Sequence, residues 1–280
     1  MTDLSAFPIR IAAFYHFAPL PDPQALAVEM RALGKELGLL GSIIMAQEGV
    51  NGTIAGAHAA MDAAFAHLRA VPGFESLKTR DHGADEQPFV RWKIKVKPEI
   101  VTMGELDIDA NDAGTHVPPA EWNALISDPD TILIDARNDY EIEIGQFEGA
   151  IDPQTRSFGA FPAWFDAQAE EWRAQGRKPR IAMYCTGGIR CEKSTALAKA
   201  RGFDEVYHLK GGILAYLAEI EEKDSLWRGE CFLFDDRVSI THGEQLGKTA
   251  ICVTCGLPVT PPADGGIPPQ ECARCIALDD

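Results

Sequence analysis

One segment of the sequence combines a cysteine with glycines and an arginine, at residues 184–191 (YCTGGIRC), between an apolar strand and a helix. In an open parallel sheet, ligands bind beyond the carboxyl ends of the strands, which places Cys185 at the mouth of the fold. Gly187 and Gly188 let consecutive backbone N–H groups turn inward, and the start of the next helix adds partial positive charge. With Arg190 near its rim, this loop favours the thiolate of Cys185, so we predict a nucleophile there.

Two other interpretations of these thiols remain open. In the first, Cys185 is an inert buried cysteine at the end of the strand, and the loop only connects the strand to the helix. Cys191 either resolves an oxidised Cys185 or, as the start of a helix favours, packs against the sheet.

Charged residues near residue 140 are candidates for support of the loop. Asp135, Arg137 and Glu141 follow the apolar strand 131–136. They are suited to position Arg190 or a substrate through charged hydrogen bonds, although capping of local loops and helices is the favoured interpretation. We predict no catalytic role for them.

Two cysteine pairs near the carboxyl end have the spacing of a metal site. Each pair has two intervening residues, 16 residues separate the pairs, and the four thiols are Cys252, Cys255, Cys272 and Cys275. This spacing predicts a structural zinc site, because four thiolates complete a tetrahedron and leave no open position. Two labile disulfides, a tail without metal, or iron are the alternatives.

A basic stripe is predicted on one strand of the amino-terminal part. Its members recur at every second position with apolar residues between them: Arg91, Lys93, Lys95 and Lys97. On a strand, alternate side chains share a face, about 7 Å apart. Such a stripe suits phosphate binding, and an edge strand protected by lysines is the equally open alternative.

The pattern of elements predicts two α/β folds and a small module. Residues 1–105 show the β-α-β-β-α-β order of a ferredoxin-like domain, with strands at 9–18 and 89–103 and helices at 22–39 and 58–70. Residues 106–225 alternate strands and helices, as a doubly wound parallel sheet does. The Pro/Gly-rich residues 226–280 are too few for an ordinary core, so metal is expected to replace it.

Composition excludes several classes of protein. The 280 residues carry 26 Lys and Arg against 42 Asp and Glu, a formal charge of −16, which argues against a polybasic nucleic-acid or membrane binder. Residues 1–100 hold 10 basic against 11 acidic residues, so the acidity lies almost wholly in the rest. The absence of an export signal and of a long apolar run predicts a cytoplasmic protein that does not bind membranes.

The cysteine loop resembles the active loop of a rhodanese domain, with six residues: Cys185, Thr186, Gly187, Gly188, Ile189 and Arg190. The stretches 134–137 (IDAR), 149–151 (GAI) and 209–212 (LKGG) resemble other landmarks of that domain. The six-residue loop of the family suits a sulfur-sized group, whereas related phosphatases have a loop one residue longer. The resemblance therefore disfavours a phosphatase.

Nearly the whole chain resembles the bacterial rhodanese-containing tRNA uridine hydroxylases, through residues 47–53 (QEGVNGT), 95–104 (KVKPEIVTMG) and 183–193. The resemblance implies that the partner is tRNA, that Cys185 is catalytic, and that oxygen is the co-substrate in forming 5-hydroxyuridine at the wobble position. It also tips the basic stripe towards RNA. No flavin, haem or NAD signature accompanies it. The compact Cys-rich tail departs from the longer tails of many relatives.

Two other functions remain alternatives. One is sulfur transfer, with a persulfide on Cys185 formed from a donor such as thiosulfate. The other is a non-catalytic RNA- or protein-binding module in which the loop is only a scaffold. The extra amino-terminal domain argues against the first, and retention of Cys185 and Arg190 argues against the second.

Overall fold

The structure is a computed structural model that describes residues 4–262 and 266–276. The chain divides into two compact units, Met1–Thr102 and Met103–Asp280, so the first division lies three residues before the predicted one. The second boundary, at residue 225, stays a prediction. Among the described residues, no helix has both the length and the apolar character needed to cross a membrane.

The first unit is a five-stranded sheet with two helices. In chain order its elements are β1 (Ile9–Phe17), α1 (Pro23–Glu36), β2 (Leu40–Ala46), β3 (Gly49–Gly56), α2 (His58–Arg69), β4 (Arg80–Ala84) and β5 (Trp92–Val96). The Asp22 carboxylate accepts the Ala25 N–H at 2.8 Å and Pro23 occupies the first turn, which fixes the start of α1. Apolar side chains of both helices, including Met30 and Phe65, bury the core against the strands.

The strand order in this sheet is β4-β1-β3-β2-β5. The sequence prediction had no strand at Arg80–Ala84, and the predicted fourth strand at 89–103 is instead the fifth, Trp92–Val96. All five residues of β4 are half-buried, so they lack the alternation of apolar and polar residues that reveals a strand in a sequence. The short β5 pairs in parallel with β2 at the opposite edge.

The second unit contains a parallel sheet of four strands in the order β6-β10-β9-β7. Its elements are β6 (Thr115–Val117), α3 (Pro119–Ile126), β7 (Thr131–Asp135), α4 (Asp139–Ile142), β8 (Gly145–Phe147), α5 (Phe161–Ala174), β9 (Arg180–Tyr184), α6 (Ile189–Ala200), β10 (Val206–Leu209) and α7 (Gly212–Glu219). Leu133, Ala182 and Leu209 pack with α3 and α7 in one core, while alternate strand residues such as His208 lie on the side of α6.

Short antiparallel pairs complete the second unit. They are formed by β8 with β11 (Trp227–Gly229), β12 (Cys231–Phe232) with β13 (Ser239–Ile240), and β14 (Ala250–Ile251) with β15 (Pro258–Val259). The helical turn α8 (Ala273–Ile276) carries the last cysteine. Three of the cysteines, Cys252, Cys272 and Cys275, form a small separate core there with Val259.

Candidate active site

Cys185 lies immediately after β9, at the carboxyl end of the central pair of parallel strands. Its thiol is fully buried and accepts the Gly188 N–H at 3.2 Å. Gly188 has φ of 102°, a left-handed conformation that glycine adopts without strain, and α6 begins at the next residue. The predicted strand, loop and helix therefore meet around one sulfur atom.

Several donors stabilise the negative form of Cys185. Burial opposes ionisation, but the Cys191 thiol, the Arg190 charge and the N–H groups of Cys191 and Gly188 together lower the pKa of Cys185 to about 6. Burial and the neighbouring Cys185 raise the pKa of Cys191 well above its usual value, so Cys191 keeps its proton and donates it. The sequence prediction of Cys191 as a packing residue missed this hydrogen bond.

Arg190 is held by a carboxylate from a distant part of the chain. Its Nη1 lies 2.6 Å from Glu141 Oε1, and its Nη2 lies 2.8 Å from Glu141 Oε2. Thr186 Oγ1 lies 3.2 Å from both Glu141 Oε2 and Arg190 Nη2. Burial opposes ionisation of Glu141, yet Arg190 lowers the pKa of that carboxyl. The pair therefore fixes a positive charge beside the loop.

Asp135 and Arg137 form a second buried pair behind the first. Arg137 Nε and Nη2 donate to the Asp135 carboxylate at 2.9 and 2.6 Å. The remaining donors of Arg137 reach the backbone oxygens of Glu141 at 3.1 Å and Gly145 at 2.6 Å. This pair supports the backbone that carries Glu141, whereas the side chain of Glu141 contacts the loop.

The start of α7 fixes the carbonyl groups of the loop. The N–H groups of Ile213 and Leu214 donate to the oxygens of Cys185 and Thr186, at 3.0 and 3.1 Å. Gly212 has φ of +66°, and a Cβ atom there would lie 2.4 Å from the Thr186 oxygen and 2.5 Å from the Cys185 oxygen. Only glycine fits this position. With its carbonyls held by α7, the loop keeps its N–H groups turned towards the sulfur.

In the first unit, the predicted basic stripe is exposed along the edge strand β5. The cations Arg91, Lys93, Lys95 and Lys97 are all exposed, while Ile94 is buried and Trp92 and Val96 pack against the core. Lysines on an edge strand also prevent a strand of another chain from adding to the sheet. Exposure alone therefore fits both phosphate binding and protection of the edge.

The face of the sheet that carries these lysines also presents aromatic rings, which the sequence analysis missed. Tyr15 and Phe17 alternate on β1, half-buried, with ring centroids 6.2 Å apart. The strand register aligns Tyr15 with Asn51, Asn51 with Ile44, and Ile44 with Lys95. In the sequence, the positions of Tyr15 and Phe17 two residues apart on a predicted strand were the signal that could have revealed these rings. One sheet face thus joins rings to cations.

Comparison with known sequences gives two domain matches. The UPF0176 acylphosphatase like domain matches residues 9–100, and the Rhodanese-like domain matches residues 118–219. A tRNA uridine(34) hydroxylase from Gluconobacter oxydans is 56% identical over 253 residues, covering 90% of this chain and 81% of that protein. One from Caulobacter vibrioides is 52% identical over 275 residues, covering 97% of this chain and 87% of that protein.

The chain belongs to the tRNA uridine(34) hydroxylase family. The resemblance inferred from the sequence is confirmed, as is the predicted fold of a ferredoxin-like domain joined to a rhodanese domain. A third family member, from Rhizobium etli, is 52% identical over 263 residues, which cover 93% of this chain and 84% of that protein.

Two stretches that carry the resemblance to the hydroxylase family meet in the first unit. Ile100 donates its N–H to Glu48 Oε1 at 2.7 Å and accepts the Asn51 side-chain N–H at 3.0 Å. Both partners belong to the stretch 47–53, and Ile100 belongs to 95–104. These bonds fix the chain that leaves β5 against the turn between β2 and β3.

The four cysteines near the carboxyl end of the chain lie close together, as predicted. All are free thiols. Cys252 Sγ lies 3.9 Å from Cys275 Sγ, and Cys255 Sγ lies 3.6 Å from Cys272 Sγ. Thiolates around tetrahedral zinc, each about 2.3 Å from the metal, lie about 3.8 Å apart, whereas disulfide sulfurs lie about 2.0 Å apart. The separations fit a metal and do not fit disulfides.

The backbone turns tightly after the first pair of these cysteines. Gly256 has φ of +74° and donates its N–H to the Cys252 oxygen at 2.9 Å. The Cys272 N–H donates to Cys252 Sγ at 3.3 Å, a bond that favours the thiolate. The four sulfurs would hold a structural metal, zinc being the ion whose ligand preference they match.

Proposed function

We propose that this protein hydroxylates C5 of uridine 34 in tRNA, with molecular oxygen as co-substrate and the Cys185 thiolate as nucleophile. The observation that carries the proposal is a buried cysteine whose sulfur accepts the Gly188 N–H at 3.2 Å, in a member of the hydroxylase family. Despite burial, the donors around this sulfur lower the pKa of Cys185 to about 6. A thiolate is the form required for attack on an electron-poor ring carbon. At neutral pH most of Cys185 is in that form.

The first step that we propose is addition of Cys185 Sγ to C6 of the uracil. A sulfur–carbon bond forms, the C5–C6 double bond breaks, and its electron pair moves into the C5–C4–O4 enolate. C5 thereby becomes nucleophilic. Because the base must leave the stack of the anticodon loop to reach a buried sulfur, we expect recognition of a flipped or unstacked uridine.

Oxygen transfer to C5 then gives an adduct that carries a hydroxyl and a hydrogen at C5 and sulfur at C6. Loss of the C5 proton and of Cys185 as thiolate restores the double bond and releases 5-hydroxyuridine. Reduction of the second oxygen atom to water takes two electrons and two protons, which we assign to two molecules of a thiol that leave as a disulfide. A persulfide or a sulfur–oxygen intermediate on Cys185 fits the same donors and is the alternative route.

The residues around Cys185 act in both the first and the last step of this reaction. Arg190 and the Gly188 N–H stabilise the negative sulfur before addition and again as a leaving group, since a thiolate of low pKa leaves more readily. Glu141 holds Arg190 in position, and Cys191 donates its hydrogen to the sulfur. We assign these residues to positioning and Cys185 to catalysis.

The first unit is proposed to bind the tRNA. The cations at residues 91, 93, 95 and 97 would contact phosphates, and Tyr15 and Phe17 would stack on exposed bases. A sheet face that combines rings with lysines is suited to single-stranded RNA such as an anticodon loop. The remaining positions of the chain are strongly acidic, which confines this interaction to a limited surface.

The test is nucleoside mass spectrometry of unmodified tRNA incubated with the purified protein and a thiol reductant, in air and without oxygen. We expect 5-hydroxyuridine at position 34 only in air, at least 100-fold less with Cys185→Ala, and an unchanged yield with Cys231→Ala. Cys231 is a matched control because it is equally buried but its pKa is raised by burial to about 12. Equal product from the Cys185→Ala protein would refute the proposed chemistry.

Sulfur transfer is distinguished in the same preparation. Incubation with thiosulfate and cyanide without RNA would release thiocyanate rapidly if Cys185 carried a persulfide as its main task. We expect slow release and no acceleration by tRNA. Rapid transfer combined with no tRNA product would replace hydroxylation by the sulfurtransferase function.

A further inference from the structure

Two histidines and a glutamate converge on one side of the parallel sheet in the second unit. His116 on β6 and His208 on β10 are Cα partners in adjacent parallel strands, so both side chains project to the same face. Glu192, on α6, packs over that face. His116 Nε2 lies 3.0 Å from Glu192 Oε1, and His208 Nε2 lies 3.9 Å from Glu192 Oε2.

The hydrogen bonds of Thr195 decide which nitrogen of His208 carries the hydrogen. Thr195 Oγ1 donates its single hydrogen to the Cys191 backbone oxygen, 2.6 Å away. It must therefore accept towards His208 Nδ1, which lies 3.2 Å away. In this network the hydrogen of His208 is on Nδ1, and Nε2 presents a lone pair.

That lone pair is buried without a partner. His208 is 1% exposed, and its Nε2 has no hydrogen-bond partner. It points towards a carboxylate oxygen of Glu192, which is also an acceptor. A buried acceptor nitrogen without a donor is unfavourable in a protein interior, and a cation bound by that nitrogen removes the penalty.

We propose that His116, Glu192 and His208 bind one divalent transition-metal ion. Their ligand atoms lie within 4.8 Å of one another. Ligands about 2.1 Å from a shared ion lie about 3.0–3.5 Å apart, so the site needs only a small contraction. The bond from Nδ1 of His208 to Thr195 orients the ring, as outer hydrogen bonds do for metal-bound histidines.

The ligand set selects the class of metal. Two imidazoles and one carboxylate suit Fe²⁺, Co²⁺, Ni²⁺ or Zn²⁺, whereas Mg²⁺ and Ca²⁺ prefer oxygen ligands. Three protein ligands leave at least one coordination position open for water or a small molecule. The half-exposed His116 side chain gives the ion a route from solvent.

The proposed site is chemically distinct from the four-cysteine cluster and does not depend on the hydroxylation that we propose. It is also connected to the cysteine loop through the chain. Cys191, which donates to Cys185, accepts at its backbone oxygen the hydrogen of Thr195, and Thr195 contacts His208. A metal bound at His208 would therefore be linked through Thr195 to the backbone of Cys191, the residue whose thiol donates to Cys185.

Titration of the full-length, zinc-loaded protein with Co²⁺ tests the proposal, because Co²⁺ bound by nitrogen and oxygen has visible bands without the intense charge-transfer bands of thiolate ligands. We expect the wild-type chain to bind one more Co²⁺ than His208→Ala. His116→Ala is the variant least disruptive to folding, since its side chain is half exposed, and should weaken binding at least 10-fold.

His67→Ala is the matched control. His67 also pairs with a glutamate, its Nε2 lying 3.0 Å from Glu29 Oε2, but it belongs to no three-residue group among the described residues. We expect wild-type Co²⁺ binding from it. Equal Co²⁺ stoichiometry and affinity in the wild type and in folded His116→Ala would overturn the proposal, as would a spectrum that shows thiolate ligation alone.

Discussion

Glu141 and Arg190 form a two-point ion pair, with Oε1–Nη1 at 2.6 Å and Oε2–Nη2 at 2.8 Å, and both side chains are nearly inaccessible to solvent. The two residues are 49 positions apart in the chain. Their contact joins the first helical turn after β7 to the loop after β9. The Arg190 charge that stabilises the Cys185 thiolate is thus held in place by α4, which follows a different strand of the sheet.

Replacement of Glu141 by glutamine should destabilise the protein. The variant leaves the Arg190 charge buried without its counter-ion, and loss of one partner of a buried pair costs about 3–5 kcal/mol. We expect that loss in the free energy of unfolding, measured by urea denaturation, and at least a 10-fold loss of hydroxylation. The exposed neighbour Glu143, replaced in the same way, should change neither. Equal stability of the two variants would show that the pair is not needed.

The reactivity of Cys185 should follow its ionisation. The alkylation rate by iodoacetamide, measured by mass spectrometry of the peptide that carries Cys185, should be half-maximal near pH 6, fall below that pH as the thiolate is protonated, and level off above it. Cys191→Ala removes a donor to the thiolate, so its midpoint should move to higher pH. Cys231→Ala should leave the midpoint in place, and a wild-type midpoint near 9 would contradict the assigned donors.

The contact of Gly212 with the loop predicts a steric effect. In Gly212→Ala the new Cβ would meet the Thr186 and Cys185 oxygens, and the loop or α7 must shift. Gly202→Ala is the matched control, with φ of +88° and no neighbour within 4 Å. Both variants should lose about 1–2 kcal/mol to backbone strain, measured by thermal unfolding. Only Gly212→Ala should also lose reactivity at Cys185, and equal reactivity in both would argue against a role for this contact.

The basic stripe predicts a salt-dependent contribution to RNA binding. Lys93→Ala and Lys95→Ala should each weaken binding to an anticodon stem-loop and reduce the slope of log affinity against log salt by about 1. Lys35→Ala, exposed on helix α1, is the control and should leave the slope unchanged. If all three variants behave alike in fluorescence anisotropy titrations, the stripe is a protected edge and not an RNA contact.

A Tyr15→Ala variant separates stacking from charge. Loss of a base-stacking ring costs about 1–3 kcal/mol of binding with little change in the salt slope. The same titrations measure this. A normal affinity for Tyr15→Ala would remove the aromatic pair from the proposed interface.

The cysteine cluster predicts dependence of the tail on metal. Cys272→Ser should lower the bound zinc, measured by mass spectrometry of the metal, and should increase protease cleavage within residues 250–276. Chelation of the wild-type protein should do the same, because a metal replaces an apolar core there. Cys231→Ser is the control and should retain the zinc. Protection of the tail after complete metal removal would contradict a structural role.

Much of the site could be predicted because its chemistry is local in sequence. The apolar strand, the two glycines, Arg190 and the helix start are contiguous in the sequence. The spacing of the paired cysteines can also be read directly from the sequence. A charged contact of Arg190 with Asp135, Arg137 or Glu141 was one interpretation of the sequence, but Glu141 could not be singled out, because nothing local shows which carboxylate reaches which guanidinium across two strands. The capping role that sequence reasoning favoured is present as well, since Glu141 Oε1 accepts the Asn138 N–H at 3.2 Å in a capping box at the start of α4.

Short strands were the other gap. Thr115–Val117 lies in the polar stretch 107–119 (DIDANDAGTHVPP), yet its three residues pair with β10 as an edge strand. Such a strand is too short to show alternation, and its identity depends on the neighbour that it pairs with. His116 was therefore invisible as a partner of His208, although the two side chains are within contact in the folded chain.

The complete burial of Cys185 affects how readily oxidants reach its thiolate. An ionised sulfur at neutral pH is ordinarily an easy target for peroxide, and the resulting sulfinic acid is not readily reversed. Inside this loop the same atom is inaccessible to solvent. An enzyme proposed to work with oxygen would in this way keep its own nucleophile from being consumed between turnovers.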